Sequence, residues 1–161
     1  MTGTTDPNTA RIDRLLDSAW PVHVEELPDW LTDIDSAPPG ITAPPTARAG
    51  TIEPSIHRGQ LVGVHWFTGY TSDAELLDAH QALSRYVTER LGTPADEVIH
   101  PVYGASRLWR TTEFTIDTYA HTQRNDPPTG AVLQIHVDLT GPADERNAEA
   151  EKRERQRHEL D

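Results

Sequence analysis

Residues 72–94 constrain the fold most, because the signals for helix start, periodicity and helix end all agree there. Ser72 can cap a helix while Glu75 reaches back, and Asp73 and Glu75 place negative charge at the positive end of the helix dipole. Spacings of three and four place one stripe on a single face: Leu76, His80, Leu83, Val87 and Leu91. Gly92 and Pro94 end the pattern. We therefore predict one main helix over about residues 72–91, packed on a sheet.

Strand-like segments flank this helix on both sides. Residues 51–57 and 60–68 predict a hairpin, because Gly59 can adopt the positive φ that a tight turn needs. Further strands are predicted at 98–103, 107–110, 113–119 and 131–139. The last of these places apolar side chains on one face and Gln134, His136 and Asp138 on the other. This order predicts an α+β domain with an antiparallel sheet of about five or six strands.

The two ends of the chain differ from this central part. Asn8 or Thr9 can cap a first helix, and a second short helix is predicted at about 24–34, so residues 1–34 are expected to dock on the core as helices. Residues 35–50 form a loop rich in proline and alanine, and residues 51–140 form the α+β core. Residues 141–161 are predicted to be a charged helical or disordered tail, because alanines are the only apolar residues from Ala143 to Glu159 and form no core-facing stripe.

The charge of the chain limits the class of partner. Asp and Glu number 26 against 14 for Lys and Arg, giving a net charge of −12 over 161 residues. Such a surface repels nucleic acid and anionic membrane, and it favours a basic protein if the partner is charged. The absence of cysteine excludes disulfides and thiolate sites, and fits a cytoplasmic protein. The sequence has neither a signal-peptide pattern nor a membrane-spanning apolar run.

The sequence predicts neither a catalytic residue nor a cofactor. It contains no GxSxG nucleophile motif and no glycine-rich phosphate-binding motif. Its eight histidines invite a metal site, and the best local pair is His136 with Asp138, which His65 could join across the sheet. We interpret these three as hydrogen-bonded structural residues, and His80 as a satisfied histidine of the main helix. A small-molecule or metal-dependent enzyme that uses the His136 face is the least favoured alternative.

Aromatic and arginine side chains suggest a protein-binding surface instead. The predicted strands carry a set of residue types that are common in interface hot spots: Trp66, Arg107, Trp109, Arg110 and Tyr119. One main helix can leave part of the sheet uncovered, so these side chains are candidates for contact with a partner. Ordinary core packing is the alternative for each tryptophan.

Short motifs between residues 60 and 139 carry a resemblance to a group of proteins. They are the helix end at Leu91-Gly92-Thr93-Pro94, a strand with Trp109-Arg110, a threonine-rich turn, and the final apolar strand. In this order of elements the chain resembles small uncharacterised actinobacterial α+β proteins, some of which resemble immunity proteins that neutralise secreted toxins. The resemblance implies a non-catalytic partner-binding protein and assigns no residue.

Together these features predict an acidic protein-binding domain. Its most concrete form is an immunity-type protein that occludes the active site of a basic toxin, with acidic charge speeding the encounter. A secretion chaperone or adaptor is the alternative, which would bind an unfolded or helical segment of its partner.

Overall fold

The computed structural model of the chain describes residues 6–35, 48–100, 104–123 and 130–160. Its helices are α1 (Pro7–Asp17), α2 (Leu27–Asp35), α3 (Asp73–Leu91) and α4 (Thr140–Leu160), and a single 3₁₀ turn at Val24–Glu26 precedes α2. Its strands are β1 (Arg48–Ala49), β2 (Glu53–His57), β3 (Gln60–Tyr70), β4 (Asp96–His100), β5 (Gly104–Arg110), β6 (Phe114–His121) and β7 (Ala131–Leu139).

The described strands form one antiparallel sheet. Its order is β1-β3-β7-β6-β5-β4, and β2 pairs with β3 beside β1. The predicted β2–β3 hairpin is present, and Arg58 and Gly59 form its turn with φ values of 52° and 74°. The sequence prediction of an α+β fold with an antiparallel sheet under one main helix is confirmed.

Helix α3 covers one face of this sheet. The Ser72 hydroxyl accepts a hydrogen bond from the Glu75 backbone N–H at 3.2 Å, as predicted for the N-cap. The Glu75 carboxylate, however, accepts from the Thr71 hydroxyl at 2.6 Å, whereas a capping box would pair it with the N–H of Ser72. Gly92 ends the helix with a φ of 97°, a conformation that favours glycine. The predicted stripe faces the core from this helix: Leu76, His80, Leu83 and Val87 are buried.

The core lies between α3, the N-terminal helices and the covered face of the sheet. Helix α1 contributes Ile12 and Leu15, and α2 contributes Leu27 and Ile34. The sheet contributes alternate residues of its central strands: Val64, Trp66, Trp109, Ile116, Leu133, Ile135 and Val137. The apolar side of the predicted final strand therefore faces α3, as its alternation requires.

The start of α1 differs from the prediction. Asp6 is the N-cap, because its carboxylate accepts from the Asn8 backbone N–H at 3.1 Å and Pro7 occupies the first turn, where a missing N–H does no harm. The prediction that Asn8 or Thr9 caps this helix is wrong, since both lie inside it and are buried. Strand β1 lies within the predicted loop at 35–50, of which residues 36–47 are outside the described part.

Two further boundaries differ. Strand β4 begins at Asp96 instead of residue 98, and residues 101–103 of the predicted strand lie outside the described part of the chain. Strand β6 continues through His121, two residues beyond the predicted end at residue 119.

Helix α4 is continuous and rests on the sheet mainly through charged groups. Of its residues, Thr140 and Ala143 are buried, and everything from residue 150 to 160 is exposed. Five contacts between basic and acidic side chains tie its first half to the sheet: Arg110 with Asp144, Asp138 with Arg146, Arg58 with Glu145 and with Glu149, and His57 with Glu149. No helix within the described residues is long and apolar enough to span a bilayer.

Candidate functional site

The candidate site is the face of the sheet opposite α3, which we call the open face. By alternation along each strand, its side chains come from positions between the core residues. The strand register aligns them in rows across the sheet. One row, called the exposed row, consists of Phe67, Gln134, Tyr119, Ser106 and Val98. The adjacent row, called the histidine row, consists of Glu53, His65, His136, Asp117, Leu108 and Asp96.

The exposed row presents large apolar side chains to solvent. Phe67 is 46% exposed, Tyr119 is 37% exposed and Val98 is 57% exposed. Half-buried Gln134 and Ser106 lie between them and supply polar groups. Aromatic and aliphatic side chains with a few polar neighbours are characteristic of the centre of protein–protein interfaces. The row therefore has the composition of a binding surface.

Ring contacts and hydrogen bonds connect the two rows. The rings of His65 and His136 are stacked with centroids 5.2 Å apart, and Tyr119 meets His136 edge-on at 6.2 Å. Gln134 donates from Nε2 to Nε2 of His136 at 2.7 Å, and its Oε1 accepts from Nε2 of His121 at 3.2 Å. These contacts fix the side chains before any partner arrives, which lowers the entropy lost on binding.

Burial dominates the electrostatics of the histidine row. Burial, with smaller contributions from the nearby His65 and Arg146, lowers the pKa of His136 to about 4, so His136 is neutral at pH 7. Burial raises the pKa of Asp117, and the Asp138 carboxylate adds to the effect. Burial likewise raises the pKa of Asp138, although the Arg146 guanidinium opposes this shift.

Asp138 occupies space that only a glycine on β3 leaves open. It lies directly across from Gly63 in the strand register, and a Cβ at residue 63 would come within 1.6 Å of Asp138 Oδ1. Asp138 Oδ2 lies 3.4 Å from Nη2 of Arg146 on α4. Oδ1 is buried and has no hydrogen-bond partner within the described residues.

Among the side chains that the structure describes on the open face, the charge without an ionic partner is acidic. Both arginines of this set are engaged, since Arg110 bonds to Asp144 at 2.8 Å and Arg146 faces Asp138. The remaining acidic groups of the histidine row are Glu53, Asp96 and Asp117. Glu53 contacts only a histidine there, with its Oε2 atom 3.1 Å from His65 Nε2. A basic surface is the complement of such a face.

The three weak metal candidates lie on this face. His65 pairs directly with His136 across β3 and β7, as the sequence suggested, and Asp138 is two residues along β7. Within the described ranges, however, no three His, Asp or Glu side chains are grouped closely enough to hold a metal ion. The trio is instead engaged in ring stacking and in contacts with Glu53, Gln134 and Arg146.

The structure separates the five residues that the sequence suggested as a partner-binding surface. Trp66 is fully buried and Trp109 is 1% exposed, because both face α3. Their place in an exposed surface is a wrong prediction, and core packing is correct for both. Arg107 also lies on the α3 side, whereas Tyr119 and Arg110 lie on the open face. Of the set, Tyr119 alone belongs to the exposed row.

Arg107 belongs to a polar network beneath α3. Its Nε donates to Glu97 at 2.8 Å and its Nη1 donates to the Ser84 hydroxyl at 2.7 Å. His80, which is 1% exposed, bonds through Nε2 to the Thr118 hydroxyl at 2.7 Å, as expected for a satisfied interior histidine. Ser84 donates its own proton to the His80 carbonyl at 2.6 Å, so it is not a nucleophile activated by the imidazole.

Sequence reasoning missed Phe67 and Val98 as surface residues. Alternation did place Phe67 on the same side of β3 as His65, but it gave no reason to prefer that side as the exposed one. For Val98 the sequence predicts a strand but does not indicate which side of the sheet its side chain occupies. The register across five strands, which brings both into line with Tyr119, is a non-local property.

No protein-family model matches this sequence, and neither a curated protein nor a solved structure shows significant similarity to it. The resemblance to immunity-type proteins therefore stays a prediction.

Proposed function

We propose that this chain is a non-catalytic protein-binding domain that binds its partner through the open face. The observation that carries the proposal is the exposed row, in which Phe67, Tyr119 and Val98 present apolar surface in one line across the sheet. In its most concrete form, the chain is an immunity-type protein that neutralises a basic toxin.

The charge of the chain supports a basic partner. The net charge of −12 would attract such a partner over a distance of about one Debye length, roughly 8 Å at physiological salt. The histidine row, which lies beside the exposed row, contains three acidic residues: Glu53, Asp96 and Asp117. These would supply acidic contacts at the edge of the binding surface. An acidic border along one side of an apolar row is complementary to an active site that is built for a negatively charged substrate.

The test begins with capture of the partner and then compares two matched variants. The chain is used as bait on extracts and secreted fractions of its native host, and the retained protein is purified. Tyr119→Arg is then compared with Leu77→Arg, because Tyr119 and Leu77 are both 37% exposed and Leu77 lies on α3, away from the open face. We expect Tyr119→Arg to weaken binding about 30-fold or more, as for an interface hot spot, and Leu77→Arg to leave the affinity unchanged.

Three outcomes would contradict parts of the proposal. Equal effects of the two arginine variants would refute the open face as the binding site. A partner whose activity is unchanged by a saturating amount of this chain would refute neutralisation. An association rate that does not fall as salt rises would refute acidic steering. Binding restricted to an unfolded segment of the partner would favour the secretion chaperone or adaptor instead.

A further inference from the structure

Strand β4 is an exposed edge of the sheet. All five of its residues are exposed, including Val98 at 57% and Ile99 at 60%. These two neighbours point to opposite faces, so apolar surface lies on both sides of the edge. An edge strand also offers unpaired backbone groups along one side, which readily pair with another strand.

Within the described residues, the two edges of the sheet differ in what opposes pairing with another strand. Strand β2 contains Pro54, which has no backbone N–H to offer, and its register with β3 shifts between Ser55 and Ile56. Strand β4 contains no proline and pairs with β5 in unbroken register from Asp96 to His100. A proline and a register shift therefore interrupt the β2 edge. At β4, pairing is opposed only by the short length of the strand, its two acidic side chains and the bond from the Glu97 backbone N–H to Asp96 Oδ1 at 3.0 Å.

We propose that β4 of one copy pairs antiparallel with β4 of a second copy about a twofold axis at Val98. In this register Val98 lies opposite Val98 of the second copy, Glu97 opposite Ile99, and Asp96 opposite His100. A register centred on Glu97 would set the two Glu97 side chains against each other, which is unfavourable. A register centred on Ile99 would bring Pro101 into the pairing, and proline lacks the backbone N–H that a ladder needs.

The charges of β4 favour the Val98 register. Acidic residues stand at one end of the strand and a histidine stands at the other, so the Val98 register places no acidic residue opposite another. Arg107 of the same copy already donates to Glu97 at 2.8 Å, which reduces the cost of bringing Glu97 close to a second chain. Strand β4 is thus complementary to its own reversed copy.

Pairing of this kind would join the two sheets into one. The twofold axis is perpendicular to the sheet, so both α3 helices lie on the same side and both open faces lie on the other. The two exposed rows meet at Val98 and become one continuous row. The pairing requires only the β4 edge and holds whether or not the open face binds a partner.

The first experiment measures molar mass across concentration in the full chain. We expect the mass from light scattering or sedimentation to rise from 17.9 kDa towards twice that value between about 10 µM and about 1 mM, since a short strand interface is weak. Ile99→Glu places Glu opposite Glu97 of the second copy and should weaken the dimer about tenfold, whereas Ile99→Lys places a cation there and should not. A mass of 17.9 kDa at every concentration, or equal effects of the two variants, would overturn the proposal.

The second experiment tests the register with single cysteines, which the cysteine-free chain allows. In Val98→Cys the two thiols belong to directly opposed residues, whose Cα atoms lie about 4.5–5.5 Å apart, within disulfide range. In Ile99→Cys they are diagonal neighbours about 7–8 Å apart, beyond that range. Under mild oxidation we expect Val98→Cys to cross-link at least about ten times faster. Equal rates for the two variants would show that the dimer does not use this register, and would overturn the proposal.

Discussion

Replacement of Asn8 by alanine should destabilise the fold far more than its position in a short N-terminal helix suggests. Asn8 is 1% exposed and points from α1 into the covered face of the sheet. Its Oδ1 accepts from the Trp66 indole N–H at 2.9 Å and from the Thr68 hydroxyl at 3.0 Å. Both donors are buried, and both would lose their partner in Asn8→Ala.

The magnitude follows from these two hydrogen bonds. A buried donor without a partner costs about 1–3 kcal/mol, and the Thr68 hydroxyl can rotate to limit its share. We therefore expect Asn8→Ala to lower the free energy of unfolding by about 2–4 kcal/mol. For a domain of this size, that loss lowers the melting temperature by about 10 °C.

Thr9→Ala is the matched control for this experiment. Its hydroxyl makes a local bond to the Asp6 carbonyl at 2.8 Å in the same turn of α1, so its loss should cost no more than about 1 kcal/mol. Urea unfolding followed by circular dichroism measures both variants. A double-mutant cycle of Asn8→Ala with Trp66→Phe should give a coupling energy of about 1–2 kcal/mol. Equal costs for Asn8→Ala and Thr9→Ala, or a coupling near zero, would refute the reasoning.

Two other sites give sharp expectations. Burial, with the neighbouring Arg107, lowers the pKa of His80 from 6.5 to about 4. The unfolded chain therefore binds a proton at His80 more readily than the folded chain does. The free energy of unfolding should fall as the pH falls below about 6.5. Between about pH 7.5 and about pH 5.8, urea titrations should show the free energy of unfolding of the wild type falling by about 1 kcal/mol more than that of His80→Gln. Equal decreases in the two proteins would contradict a buried neutral His80. Gly63→Ala should lower the free energy of unfolding by about 1–3 kcal/mol, because its Cβ would overlap Asp138 Oδ1 and approach the Asp138 Cα at 3.0 Å. Gly69→Ala on the same strand meets no atom within 4 Å and should not destabilise, so equal thermal stabilities would contradict the close approach.

Local patterns were sufficient to predict most of the secondary structure. The stripe on α3 and the alternation in β7 each require only residues within a few positions of one another, and both are confirmed. The N-cap of α1 was misassigned because Asn8, a common capping residue, is used for tertiary contact instead. Its partner Trp66 is 58 residues away, and no local rule connects them.

The candidate site was harder to predict, because alternation gives two faces without saying which one is covered. Trp66 and Trp109 were candidates for a surface, and both lie beneath α3. Phe67, the next residue along from Trp66, is the one that faces solvent. A shift of one residue in the interpretation of a strand exchanges core for surface, and the packing of α3 decides which alternative holds.

The sequence by itself determined the main helix, its apolar stripe, the strands and the acidic charge, because each depends on neighbouring residues or on composition. Only the tertiary structure decided which sheet face remained open, that the exposed row forms across five strands, and that β4 is an edge of the sheet. These properties depend on strand order and register, which join residues far apart in the chain, and they are fixed by burying apolar side chains of the sheet beneath α3.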